Sequence, residues 1–94
     1  MKPETKFKRR IRPELEAIPK SYWEKTQQVS IRGTPDFVGC VRGRSVVIEL
    51  KVDDNKADAL QDYKLSRWRQ AGAIAYVMTP ENKDRIIQEL KELP

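Results

Sequence analysis

RGTPDFVGCVRGRSVVIELK, residues 32–51, holds two strand-like runs about a short turn, and the rest of the fold follows from them. Two short runs rich in β-branched and apolar residues, 37–41 and 44–52, flank Arg42-Gly43, and Gly33-Thr34-Pro35 interrupts the chain just ahead of them. Such runs around a glycine-containing dipeptide read as a β-hairpin. With the turn centred on Arg42-Gly43, residues equidistant from it pair, so Asp36 faces Glu49. Directly opposed side chains have their Cβ atoms about 4.5–5.5 Å apart. Alternation along the second strand puts Glu49 and Lys51 on one face and Val46, Ile48 and Leu50 on the other. A slip of one residue would undo the juxtaposition.

Two opposed carboxylates repel, and a cation belongs between them. Lys51 supplies part of that charge. A pair of carboxylates is also a seat for Mg²⁺, an ion held by one or two carboxylates, several waters and phosphate oxygens. An ion there polarises a phosphoryl oxygen and acidifies a bound water, with Lys51 placed to orient that water, so the chemistry implied is phosphodiester hydrolysis. Each residue taken singly also has a plainer role. Asp36 after Thr34-Pro35 suits a turn, and Glu49 with Lys51 suits an exposed pair worth a few tenths of a kcal/mol at most, on the order of other surface pairs.

Working outward, Glu4, Phe7, Ile11, Leu15 and Ile18 recur at three- and four-residue spacings, which predicts an amphipathic helix from Pro3. Pro13 predicts a kink or a break into two segments, since proline costs about 3 kcal/mol in a helix interior. Pro19 ends the pattern. Residues 22–29 read as a strand and 52–56 as the one linker-like piece. Residues 57–71 predict a helix with Ala57, Leu60, Gln61, Leu65, Trp68 and Ala71 along one face, stopped by Gly72. The apolar run 73–78 predicts a strand buried on both faces, and Pro80 opens a last helix with Ile86, Ile87 and Leu90 inward. The order is α-β-β-β-α-β-α. A buried strand after a helix pairs in parallel with an earlier one, which makes a mixed β-sheet flanked by helices, an α/β (α+β) fold. Gln61 and Glu4 are polar residues on apolar faces, and each needs a partner if buried. Gln61 also suits a hydrogen bond to a sheet edge, and Glu4 suits the positive end of its helix.

The 94 residues suit a single domain, residues 1–94. A domain of this size buries only about 60–65 % of its surface, so a homodimer is expected. The formal charge is +5, with Lys2, Lys6, Lys8, Arg9, Arg10 and Arg12 all ahead of Pro13. That cluster points to a polyanion, nucleic acid first and anionic membrane second, or to a solvated helix face. Cys40 is the single cysteine and there is no histidine, which excludes an intramolecular disulfide and the usual zinc and haem sites. Any metal is held by oxygen. The apolar runs are too short to span a bilayer, and no signal peptide follows the basic start, so a cytoplasmic location is expected, with no membrane partner.

The residues together resemble a family. Pro35-Asp36 followed by Glu49-Leu50-Lys51 resembles the PD-(D/E)XK nuclease superfamily, and Gly33-Thr34-Pro35-Asp36, the short hairpin, Gly43-Arg44, Leu60-Gln61 and Ala71-Gly72 resemble its stand-alone virus-type replication-repair nuclease (VRR-NUC) branch. The resemblance covers residues 4–78 and implies a restriction-endonuclease-like core. It implies that Asp36, Glu49 and the backbone carbonyl of Leu50 ligate Mg²⁺ or Mn²⁺, that Lys51 assists the nucleophilic water, and that Gln61 and Glu4 complete the catalytic set. Ala73 departs from the pattern where a second glycine is frequent, and Pro13 makes the first helix less regular. Lys25 stands where a basic strand residue often precedes the GxPD turn. With Lys8, Arg9, Arg12 and Arg32 it is expected to position the DNA backbone. The branch is similar to Holliday-junction resolvases and tends to dimerise. The implied activity is a metal-dependent, structure-selective DNA endonuclease acting on branched DNA such as four-way junctions or flaps, in phage or mobile-element replication, recombination or repair. The implied setting is the cytoplasm of a bacterium or phage-infected host, with no small-molecule cofactor.

Two other readings compete. One is a non-catalytic nucleic-acid-binding module that keeps the nuclease fold, and the presence of Asp36, Glu49, Lys51 and Gln61 together speaks against it. The other is a basic adaptor for a larger replication or repair complex, which a protein partner without metal binding would favour.

Overall fold

The computed structural model describes residues 2–26, 34–52 and 59–94. Within them the elements run α1 (Pro3–Glu16), β1 (Ser21–Lys25), β2 (Phe37–Val41), β3 (Arg44–Leu50), α2 (Ala59–Gln70), β4 (Ile74–Met78) and α3 (Lys83–Lys91). This is the predicted order. The strands form one sheet in the order β1-β2-β3-β4, with β1-β2 and β2-β3 antiparallel and β3-β4 parallel. The mixed, α+β architecture is therefore as the sequence implied.

The hairpin has the predicted register. Val41 pairs with Arg44 and Phe37 with Ile48, so the turn is Arg42-Gly43 alone. Both turn residues have positive φ, 51° and 85°, as the tightest two-residue hairpin turns require. Alternation on β3 then divides the core. Val46, Ile48 and Leu50 join Phe7, Ile11 and Leu15 of α1 and Ile86, Ile87 and Leu90 of α3 in the main cluster, while Val47 meets Leu65 of α2 and Ala75 of β4. Helices α1 and α3 thus cover one face of the sheet and α2 the other.

Four expectations need correcting. Helix α1 runs unbroken through Pro13, and the chain is still helical enough there for Ala17 N–H to reach the Pro13 carbonyl. Pro13 is exposed, and the buried stripe of Phe7, Ile11 and Leu15 continues across it. Burying three such side chains contributes roughly 5–9 kcal/mol, which exceeds the proline penalty of about 3. Helix α2 does end at Gly72, whose φ is 102° and whose N–H bonds Arg69 O while Ala73 N–H bonds Trp68 O, a Schellman closure. Its predicted apolar face is only partly used: Leu65 is buried, but Leu60 and Trp68 are 40 % and 39 % exposed. The helix packs over β3 and β4 and leaves that face of β1 and β2 open, where Tyr22 is 68 % exposed. Strand β4 lies at the sheet edge, with Ala75 and Met78 buried and its other residues half-buried, so it is not buried throughout. Helix α3 begins at Lys83, three residues after Pro80, once Thr79 and Asn82 have exchanged two side chain to backbone hydrogen bonds. Ala57, most of the linker-like piece and the later part of the predicted first strand lie outside the described residues.

One glycine is required by close approach. Gly39 pairs with Trp23 across β1-β2, and a Cβ on it would lie 2.4 Å from the Trp23 ring and 2.6 Å from the Tyr22 carbonyl.

Candidate metal centre

The hairpin delivers the first two carboxylates. The ladder ends at Phe37-Ile48, and one residue further out Asp36 reaches across to β3, where its Oδ2 accepts the Leu50 N–H at 2.8 Å. Thr26, just past β1, holds the other side of this corner: its N–H donates to Asp36 O and its hydroxyl to Pro35 O. Asp36 is thereby fixed between two strands.

Glu49 is 4 % exposed. Burial first, then the hydrogen bond and charge of Asp36, push its carboxyl up to about 9, with Glu4 adding to the rise and Lys51 opposing it. The third carboxylate comes from the N-terminal turn of α1. One oxygen each from Glu4, Asp36 and Glu49 lie within 4.8 Å of one another. Three carboxylates this close disfavour full ionisation unless a cation joins them, and an all-oxygen set suits a hard divalent ion such as Mg²⁺ or Mn²⁺. The donor set therefore fits the ion that the sequence motif implies. Lys51 follows directly, half-buried, with its N–H on Met78 O at 2.9 Å, which anchors it to β4. The Leu50 side chain is fully buried while its backbone borders Asp36.

The structure distributes the remaining predicted residues unevenly. Gln61 stands in the first turn of α2, half-buried, with its amide oxygen out of solvent. The crossover from β3 to the parallel β4 starts that turn from the end of the sheet that carries the carboxylates. Lys25 is exposed at the end of β1, next to Thr26. Arg9 is exposed on α1, and Arg12 is held by Glu16 at 2.9 Å. Arg32 lies outside the described residues, as does Gly33.

Lys8 is the surprise. Expected on the outer, DNA-facing surface, it instead contacts Asp36 directly, Nζ to Oδ1 at 2.8 Å. Lys8 is one turn beyond Glu4 on the same side of α1, bordering the buried stripe of Phe7 and Ile11, so wherever α1 docks Glu4 it brings Lys8 as well.

No family model matches the sequence, and no curated protein matches it. Solved structures do share its fold. A VRR_NUC domain superposes with a TM-score of 0.73 at 24 % identity, over 90 % of this chain and 94 % of that one. The Holliday junction resolvase Hjc of Archaeoglobus fulgidus superposes with a TM-score of 0.60 at 23 % identity, over 80 % of this chain and 67 % of that one. At such identities the likeness is one of fold, and it is to nuclease folds.

Proposed function

We propose that this chain is a Mg²⁺- or Mn²⁺-dependent DNA endonuclease that hydrolyses phosphodiester bonds, selects branched DNA and works as a homodimer. The observation that carries the reading is the convergence of Glu4, Asp36 and Glu49 at the open end of the β2-β3 hairpin, with Lys51 next in line. The fold shared with the VRR_NUC domain and the resolvase supports it.

Asp36 and Glu49 would hold the ion, with Glu4 and the Leu50 carbonyl beside them. When bound, the ion supplies Lewis-acid polarisation of the phosphoryl oxygen and acidifies water. Lys51 orients the attacking water and offsets charge that develops on the phosphate. Gln61, in the first turn of α2, assists at that water. Arg9 and Lys25, both exposed, contact the DNA backbone. The open, apolar face with Tyr22 and Trp68 supports association with a second copy.

The test is cleavage of labelled duplex, single-stranded, flap and four-way-junction DNA in Mg²⁺, Mn²⁺ or EDTA, with Lys51→Ala run in parallel. Metal-dependent cutting of branched substrates, lost in the variant, is the expected result. The contact of Lys8 with Asp36 favours a second reading, since a lysine neutralising the site is what a non-catalytic DNA-binding module would keep. Binding without cutting on every substrate and in both metals would establish that reading instead.

A further inference from the structure

Both oxygens of Asp36 are engaged, Oδ2 by the Leu50 N–H at 2.8 Å and Oδ1 by the Lys8 ammonium at 2.8 Å. The first contact is backbone and fixes the carboxylate in place. The second is a mobile charge on a four-carbon stem. A divalent ion joining Glu4, Asp36 and Glu49 would stand within a few ångströms of that ammonium, and two cations on one carboxylate oxygen repel strongly where water is scarce. The pair is well shielded, with the Lys8 and Asp36 side chains only 23 % and 12 % exposed. The ion and the Lys8 ammonium would compete for the same carboxylate.

We infer that Lys8 is a placeholder for the divalent ion: it holds Asp36 until the ion displaces it, and the freed ammonium then meets a phosphate oxygen of the DNA. The inference rests on the reading of the three carboxylates as a metal site. Helix α1 brings the ligand Glu4 and the competitor Lys8 to the site one turn apart on the same side, so the element that completes the carboxylate set also supplies a cation that offsets part of its charge. Lysine suits an exchangeable contact. Its compact ammonium makes no planar two-point grip on a carboxylate, whereas an arginine would. The exchange would make and break only ionic contacts: Asp36 would release the Lys8 ammonium and hold the ion, and Lys8 would meet an anionic oxygen of the substrate.

The experiment is calorimetric titration of Mn²⁺ into wild type, Lys8→Met, Lys6→Met and Asp36→Asn. Lys6 lies two residues away on the opposite side of α1, so its variant removes the same charge without touching Asp36. Lys8→Met is expected to bind Mn²⁺ about tenfold tighter than wild type or more, from removal of the cation repulsion, with little change in Lys6→Met. In a second measurement, the salt dependence of duplex binding in Ca²⁺ against EDTA should steepen by about one phosphate contact in wild type and not in Lys8→Met. Equal or weaker Mn²⁺ binding by Lys8→Met, an equal gain in Lys6→Met, or the same change of salt slope from EDTA to Ca²⁺ in wild type and Lys8→Met would overturn the placeholder while leaving the metal site standing. Failure of both wild type and Lys8→Met to bind Mn²⁺, or undiminished binding by Asp36→Asn, would overturn the metal site itself.

Discussion

The Oδ2 atom of Asp36 accepts the N–H of Leu50 at 2.8 Å, so the carboxylate of one hairpin strand is fastened to the backbone of the other just beyond their last paired residues. This contact replaces a ladder hydrogen bond with one to a charged acceptor; the other oxygen meets Lys8, and the carboxylate stands beside Glu4 and Glu49.

Asp36→Asn keeps an acceptor for Leu50 and loses the charge. It should fold with a melting temperature close to wild type and cut no DNA in Mg²⁺. Lys51→Ala should lower the cleavage rate about 10²–10⁴-fold, the range for a group that assists proton transfer at the nucleophile. Thermal melts and single-turnover cleavage on the two variants check both; wild-type rates in either would remove that residue from the reaction.

The Glu49 carboxyl, pushed up to about 9 by burial and by Asp36, gives a pH dependence of definite sign. Between its ordinary value of 4.5 and about 9 the folded chain keeps a proton that the unfolded chain has released. Stability from this group is therefore full below that window and falls as pH rises through it. Urea midpoints in EDTA should decline from pH 5 to pH 9, and Glu49→Gln should flatten the decline. Saturating Mg²⁺, which favours the ionised carboxylate, should flatten it as well, with about one proton released per ion bound near neutral pH. A midpoint that rises with pH in EDTA contradicts the assignment.

Gly39→Ala places a methyl group against the Trp23 ring and the Tyr22 carbonyl. Overpacking of this kind costs about 1–3 kcal/mol, read as a lower urea midpoint with an unchanged slope. Trp23→Leu in the same chain should return part of the loss, because the two residues share one contact. Additive losses would show that the Tyr22 carbonyl, and not the ring, sets the limit.

Arg9 and Lys25 are exposed. Replacing both by Ala should weaken DNA binding equally across sequences and reduce the salt slope by about two phosphate contacts, near 0.9 each. Filter binding at several salt concentrations reads this, and an unchanged slope would move the DNA to another surface.

The features legible in the chain alone are local ones. A glycine-containing dipeptide between two period-two runs specified the hairpin and its register, because turn geometry and alternation are properties of adjacent residues. Gly72 marked the end of α2 for the same reason, since only its own backbone has to turn left-handed there. Asp36 and Glu49 are therefore set opposite one another, and the motif around them is legible, from local sequence alone. The tertiary structure decided what depends on distant packing. Helix α1 stays whole at Pro13 because its buried stripe against the sheet outweighs one missing hydrogen bond, and α2 leaves Trp68 half-covered because it packs over only half of its sheet face. Glu4 and Lys8 enter the site for the same reason. Nothing near them in the chain says which strand end they will meet, and only the docking of α1 on the β3 face sets them against Asp36.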